Sequence, residues 1–474
     1  MIKSRAKAIT LTAMAHQNES LKHDAKNPFI FDMSDAGTGK TAVRIWAFAA
    51  RRRRRGGCLL VLAPRSLLRT AWGNDFAKFA PDVVVSVATS ANRAEALNAK
   101  ADVYITNHDA VKELAKMPKA WWAKFDELVI DESDAYKTPA SLRSKAALKI
   151  SKFFKRRALL SATPSSNGIC DIWHQALLVD GGKRLGQQFY AFRSAVCTPT
   201  QVGANKNAVR WNDKPGAEES VFAQLGDLVI RHRRDDCIDI PATQYNIVEY
   251  ELTPKQRPVY ETMVQDQLLP LLKTKITAIN AAAVATKALQ IASGAVYDGG
   301  GNYHVIDRGR YETLIEMASV RKHPLMLFFW KHQRDLLVEE AEKRGLSFCV
   351  LDGSVSDAER VNLVANYQRG HYDLMLGHPK TVAHGLTLTA GTSVMWPGPT
   401  YDLSWWVQAN ARQARIGQKA KTEVVTLLAP GTLEERVYQM CMGKDAHMSN
   451  LLDLFESMSP KPTATRVARK LVAA

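Results

Sequence analysis

Lys40 and Thr41 close the stretch Ser34-Asp35-Ala36-Gly37-Thr38-Gly39-Lys40-Thr41, and the chemistry of the chain is arranged around them. An ammonium and a hydroxyl following two glycines suit a phosphate chain and its cation. Gly37 and Gly39 let the backbone approach an anion with no Cβ in the way. The apolar run Pro28–Met33 before the stretch reads as a buried strand, and Ala42–Ala50 after it as a helix. A helix start adds free N–H groups and the positive end of its dipole. In that context Lys40 would reach the β- and γ-phosphates, and Thr41 would place its hydroxyl on Mg²⁺. Ser34 stands where the common pattern has its first glycine. Alone, the stretch says only nucleotide phosphate, and an ordinary strand-to-helix turn is the plainer alternative.

Three further clusters narrow the chemistry. Leu128-Val129-Ile130-Asp131-Glu132-Ser133-Asp134 is an apolar strand ending in paired carboxylates, which puts them at the edge where open α/β sheets bind ligands. Asp131 would hold Mg²⁺ through water, while Glu132 would orient and deprotonate the attacking water. Leu159–Pro164 is another strand running into small hydroxyl residues, and Ser161 and Thr163 suggest a link between hydrolysis and movement. Gln408–Gln418 carries Arg412 and Arg415 three residues apart, on one face if the segment is helical. Two guanidinium groups at a γ-phosphate would stabilise transition-state charge, a role worth ~10³–10⁵ in rate. A solvated acidic loop and a solvated basic helix face are the bland alternatives.

The elements that must position these groups repeat twice. Apolar strands alternate with helical stretches over Pro28–Ser161 and again over Leu325–Leu428, which implies parallel sheets covered on both faces. The fold class expected is α/β, with two tandem parallel-sheet lobes and a cleft between them. The first lobe is placed at 1–240, with a helical insertion at about 175–235. The second is placed at 241–458, with a helical segment at about 252–292, and a basic flexible tail at 459–474. The hinge is placed near Ile240-Pro241-Ala242. At 474 residues the chain exceeds a single core, and a net charge of +17 favours a polyanionic partner. Six cysteines without a CxxC pair argue against a zinc ribbon or disulfide framework and for a reducing compartment. No apolar run approaches a membrane span, and the histidines show no ligand spacing, so no metal beyond Mg²⁺ is expected.

In this order the motifs resemble the superfamily-two helicase-like ATPases of the DEAD/DEAH-box type, and among them the compact Swi/Snf-type DNA translocases. His16-Gln17 looks like the adenine-reading Q motif, Asp35–Thr41 is similar to motif I, and Asp131–Asp134 to motif II. Ser161–Pro164 looks like motif III. Ala63–Leu68 followed by Trp72 resembles motif Ia, and Ile105-Thr106-Asn107 the next DNA-facing loop. Leu228–Arg234, Leu252–Gln256 and Tyr260 resemble the link into the second Swi/Snf lobe. Leu351–Ser354 with Arg360, then His384–Thr389, are similar to the stretch up to motif V. Arg412, Arg415, Ile416-Gly417-Gln418 and Gly431–Glu435 look like motif VI and its tail.

The resemblance implies two RecA-like lobes that hydrolyse ATP with Mg²⁺ and step along duplex DNA. It places ATP against Gln17, Ala36, Gly37, Thr38, Gly39, Lys40, Thr41, Gly385 and Gln408, with Thr41 and Asp131 toward the metal. It assigns nucleic-acid contact to Arg65, Ser66, Thr106 and Asn107, and coupling to Ser161 and Thr163. Motif VI departs at Ala411, Gln413 and Ala414, and motif II at Ser133-Asp134, changes that question coupling more than hydrolysis. RNA is the second candidate partner. The rival functions are a strand-separating or annealing helicase and a nucleic-acid-binding protein that lost its chemistry. The expected location is the cytoplasm of a bacterium or a phage-infected cell, or the nucleus if the source is eukaryotic. Arg51–Arg55 are expected as a solvated helix face, and Trp121-Trp122 and Trp405-Trp406 as packing between layers.

Overall fold

The computed structural model describes residues 13–165, 168–201, 209–237, 241–264, 286–383, 386–400, 402–415, 417–435 and 437–439. Gly385, Ile240 and the tail 459–474 lie outside them. The first helices are α1 (Ala15–Lys26), α2 (Lys40–Arg55) and α3 (Asn74–Phe79). The first sheet is built from β1 (Phe29–Asp32), β2 (Cys58–Ala63), β3 (Val85–Ala88), β4 (Val103–Asn107), β5 (Phe125–Asp131) and β6 (Arg156–Leu160). A hairpin of β7 (Cys197–Gln201) and β8 (Val209–Asp213) follows, and then β9 (Val229–Ile230) returns to the sheet edge. The strand order is β3-β4-β2-β5-β6-β1-β9, and every pairing is parallel.

The second sheet uses β10 (Thr243–Glu249) and, after the hairpin β11 (Ala295–Tyr297) and β12 (Tyr303–Val305), a further set of strands. These are β13 (Leu325–Leu327), β14 (Phe348–Leu351), β15 (Leu374–Gly377), β16 (Ser393–Trp396) and β17 (Thr422–Leu428). Their order is β10-β17-β16-β13-β15-β14, again parallel throughout. The molecule is therefore α/β with two parallel sheets.

Side chains alternate faces along a strand, yet both faces here are covered. Phe31, Leu60, Leu62, Leu128, Ile130 and Leu159 pack into one apolar cluster, while Ile30, Leu59, Val61, Val129 and Leu160 pack into the other. This double burial is why the strands read as unbroken apolar runs. Trp122 and Trp406, each 2% exposed, pack inside the layers as expected.

Two readings are corrected. The segment 175–235 is only partly helical, because β7, β8 and β9 fall within it. The arginine run at the end of α2 is not simply solvated. Arg51 pairs with Asp24 and with Glu127 at 2.6 Å, Arg52 with Asp102 at 2.7 Å, and Arg53 with Asp82 at 3.1 Å. These carboxylates sit at the sheet end opposite the phosphate loop, so the run fastens α2 to its own lobe.

Glu434, part of the motif VI tail, makes a bidentate pair with Arg310 at 2.7 and 3.0 Å, and both residues are at most 2% exposed. Ala429 N also donates to Glu434, and Arg310 donates to the Pro397 carbonyl. Removing one charge from such a pair strands the other in the interior. Glu434→Gln is expected to destabilise the second lobe by about 3–5 kcal/mol. Urea unfolding of the variant measures this.

Candidate active site

The parallel register brings the motifs together. β6 lies between β1 and β5, and Leu160 is level with Asp32 on one side and Asp131 on the other. The loops after these three strands are the phosphate loop, Ser161–Pro164 and Glu132–Asp134, side by side at the carboxyl edge of the sheet.

Each side chain is held by identifiable partners. Gly37 and Gly39 have φ of 90° and 83°, the left-handed region in which glycine is favoured. A Cβ on Gly39 would come within 2.3 Å of Gln17 Nε2. Gln17 donates to the Thr38 carbonyl at 3.2 Å, beside His16 Nε2 at 2.8 Å from the same oxygen. Asp32 accepts from Ser34 N, Ser34 Oγ accepts from His232 N, and Asp35 accepts from Arg234 N. Lys40 Nζ donates to the carbonyls of Ser34 and, at 3.1 Å, Asp35. The ammonium thus rests on the loop it would share with a phosphate.

Asp131 Oδ2 accepts from Trp72 Nε1 at 2.9 Å and Oδ1 from Glu132 N at 3.1 Å. Burial raises the Asp131 carboxyl above its ordinary range. Glu132 is pushed up to about 8, first by burial and then by the charges of Asp131 and Asp134. A value near neutrality suits a general base. Glu132 also has φ 49° and ψ 60°, a left-handed conformation uncommon outside glycine and characteristic of strained functional positions. Ser133 Oγ donates to Gln175 Oε1 at 2.7 Å, and Gln175 Nε2 donates to the Pro164 carbonyl at 2.7 Å. The unusual Ser133 therefore ties the carboxylate loop to the Ser161–Pro164 loop through the helix Cys170–Asp180.

The helix Leu403–Asn410 ends before the two arginines, so Arg412 and Arg415 share a direction from a turn rather than from a helical face. Both guanidinium groups donate to the Leu386 carbonyl, Arg412 at 3.4 Å and Arg415 at 2.9 Å. Arg412 also donates to Ala383 and Gln408 carbonyls. Burial and the neighbouring cation of Arg415 push Arg412 well below its ordinary value. Gln408 Nε2 donates to Glu132 Oε2 at 3.2 Å, a direct bridge between the lobes. Gln408 thus faces Glu132 rather than Gly37–Thr41, the nucleotide contact expected of it.

These groups line one cavity of about 370 Å³, formed by Gln17, Ala36, Gly37, Gly39, Lys40, Thr41, Asp131 and Glu132 from one lobe and Thr387, Arg412 and Arg415 from the other. The donor set fits a magnesium nucleotide. Two guanidinium groups whose hydrogen bonds go to neutral oxygens suit an anion, and Thr41 with Asp131 supplies the hard oxygen ligands that Mg²⁺ takes.

Of the proposed polymer contacts, Arg65 is exposed and Ser66 half-buried. Thr106 is corrected. It is 0% exposed, and its hydroxyl donates to the Ala88 carbonyl, because β4 is an inner strand. Asn107 accepts from Arg93 at 3.1 Å. Ser161 Oγ accepts from Thr163 N at 3.2 Å, both buried.

Sequence reasoning passed over Asp32, Gln175 and Asp75. Asp32 was detectable as the one carboxylate in an apolar run, whereas Gln175 has no local signal. Asp75, on α3, lines the cavity, and burial pushes its carboxyl up to about 6 against the opposing Lys78 and Arg415. Its folded value exceeds the ordinary 3.8, so stability is lost as pH rises from that value to about 6 and the loss is constant above. Asp75→Asn removes this cost. The variant should gain on wild type by ~2–3 kcal/mol between pH 4 and 7, read from urea unfolding at both ends of the range.

Residues 11–295 match the SNF2-related domain, and residues 309–417 the helicase conserved C-terminal domain. A putative protein p41 of Acyrthosiphon pisum secondary endosymbiont phage 1 is 29% identical over 83% of this chain and 87% of its own length. Chromodomain-helicase-DNA-binding protein 1-like of Danio rerio is 25% identical over 86% of the chain, which spans 40% of that relative. The SWI/SNF-related matrix-associated actin-dependent regulator of chromatin subfamily A-like protein 1 of Xenopus tropicalis is 26% identical over 86% of the chain, which spans 42% of it. The Sulfolobus solfataricus SWI2/SNF2 ATPase core, solved with double-stranded DNA, aligns over 95% of this chain and 96% of its own at 22% identity and a TM-score of 0.43. With the first domain match spanning well over half of its length, the chain belongs to the SNF2-related family of helicase-like ATPases.

Proposed function

We propose that the protein is an ATP-hydrolysing motor that moves along duplex DNA. The observation that carries this reading is the convergence of Lys40, Thr41, Asp131 and Glu132 from one sheet with Arg412 and Arg415 from the other on a single cavity. A bound Mg²⁺ would neutralise charge on the β- and γ-phosphates, with Thr41 and Asp131 holding it. Lys40 leaves its carbonyl partners for phosphate oxygens. Glu132, released from Gln408, orients water and takes its proton. Arg412 and Arg415 stabilise charge developing on the γ-phosphoryl oxygens. Closure around ATP and reopening after hydrolysis change the spacing of the lobes, and that change is the step.

DNA as the track is supported by the net charge of +17 and by relatives whose names state DNA binding or chromatin regulation. Arg65 and Ser66 are the proposed phosphate contacts in the first lobe. The family membership supports movement on duplex over strand separation. A cytoplasmic site of action in a bacterium or phage-infected cell accords with the similarity to a phage protein over nearly its full length. Among the described residues no helix is long and apolar enough to cross a membrane.

ATP turnover measured with duplex DNA, single-stranded DNA, RNA and no polymer tests the reading, with duplex expected to stimulate most. Lys40→Ala should lower turnover by ~10²-fold or more while duplex binding persists. Unchanged turnover would refute the site. DNA affinity should fall steeply with salt, since phosphate contacts release counterions. A flat salt dependence would count against a DNA track.

A further inference from the structure

Asp131 is pinned through both carboxylate oxygens, and the two donors differ in origin. Glu132 N is its chain neighbour, whereas Trp72 Nε1 comes from a segment 59 residues away in sequence. Trp72 is fully buried and lies in the π-helical turn Leu68–Gly73 that leads into α3. π-helical turns are rare and often mark functional positions. The indole packs beside Phe76, with ring centroids 6.2 Å apart, within the cluster that includes Leu67 and Leu68. The indole is therefore held by the cluster as a whole rather than by Phe76 alone. An indole has a single donor and no acceptor, and here that donor is spent on a carboxylate that lines the same cavity as Lys40 and Thr41.

We propose that Trp72 is a positioning residue for the metal side of the nucleotide site, holding the Asp131 carboxylate in the orientation that receives Mg²⁺. The proposal rests on the reading of Asp131 given above. It moves Trp72 out of the DNA-facing motif in which its sequence neighbours place it. The exposed Arg65 and the buried Trp72 are then opposite ends of one short segment, the first toward the polymer and the second toward the metal. Partners that orient a metal ligand matter to metal affinity nearly as much as the ligand, and their loss costs about 10–100-fold.

The test is binding of a fluorescent ATP analogue to the full chain, titrated with Mg²⁺ and repeated in EDTA. Trp72→Phe keeps an aromatic ring and removes the donor. It should raise the Mg²⁺ concentration at half-saturation by about tenfold or more and leave metal-free binding within roughly twofold of wild type. Phe76→Leu loosens the same apolar cluster without touching the N–H, so it should not move the Mg²⁺ midpoint. In an Asp131→Asn background, Trp72→Phe should add no further shift. A wild-type Mg²⁺ curve for Trp72→Phe alongside a shifted curve for Asp131→Asn would overturn the proposal. So would an equal shift in Phe76→Leu, or additive shifts in the double variant. A wild-type curve for Asp131→Asn would instead overturn the reading of Asp131, and the proposal with it.

Discussion

Charge buried against neutral hydrogen-bond partners is the constraint on which the rest of this structure depends. Arg412 is 3% exposed and donates to backbone carbonyls, while Asp131 is 8% exposed and accepts from an indole and a backbone amide. Holding such groups out of water costs several kcal/mol per ion. The fold meets this cost through backbone carbonyls for the guanidinium groups and N–H donors for the carboxylate. What remains is a cavity with cations on one wall and carboxylates on another. A polyphosphate carrying a divalent cation has the complementary distribution, which is why the site is coherent as a nucleotide pocket and hard to explain as a structural core.

The same constraint links the two lobes. The bond from Gln408 to Glu132 spans 276 positions in sequence and joins the strained residue after β5 to the helix preceding the arginines. Within the first lobe, Gln175 joins Ser133 to Pro164, and residues after β9 hold Ser34 and Asp35. Each loop at the carboxyl edge is therefore fastened to another loop rather than to solvent. A change in what occupies the cavity must be felt at several of these bonds together. Such mutual dependence would tie the occupancy of the cavity to the spacing of the lobes.

Departures from the family pattern also find their places. Gln413 donates to the hydroxyl of Tyr367 in the buried interior of the second lobe, and Gln418, which keeps the pattern, donates to the carbonyls of Thr389 and Gly391. These glutamines brace the turn that carries the arginines. Ser133 makes the link to Gln175 described above. The altered residues thus act on the supports of the site, while the groups aimed into the cavity keep their usual chemistry.

Much of this was legible from local pattern. Apolar runs alternating with helical stretches determined two parallel sheets, because strands buried on both faces must be apolar throughout. Gly37, Gly39, Lys40 and Thr41 pointed to a phosphate loop, because that chemistry needs free backbone and a cation at one short spacing, and the structure sets them on the cavity wall. Asp131-Glu132 was legible for the same reason. Tertiary structure alone decided which distant donors orient these groups, since hydrogen bonds such as Trp72 to Asp131 or Gln175 to Pro164 leave no periodic trace in sequence. It also decided burial. Thr106 reads as a loop hydroxyl but is enclosed once β3 and β2 flank its strand, and the Arg51–Arg53 run reads as solvated until Asp24, Glu127, Asp102 and Asp82 arrive from other elements. Residue types and short spacings declare what chemistry is available; only the packing of remote segments settles which atoms meet.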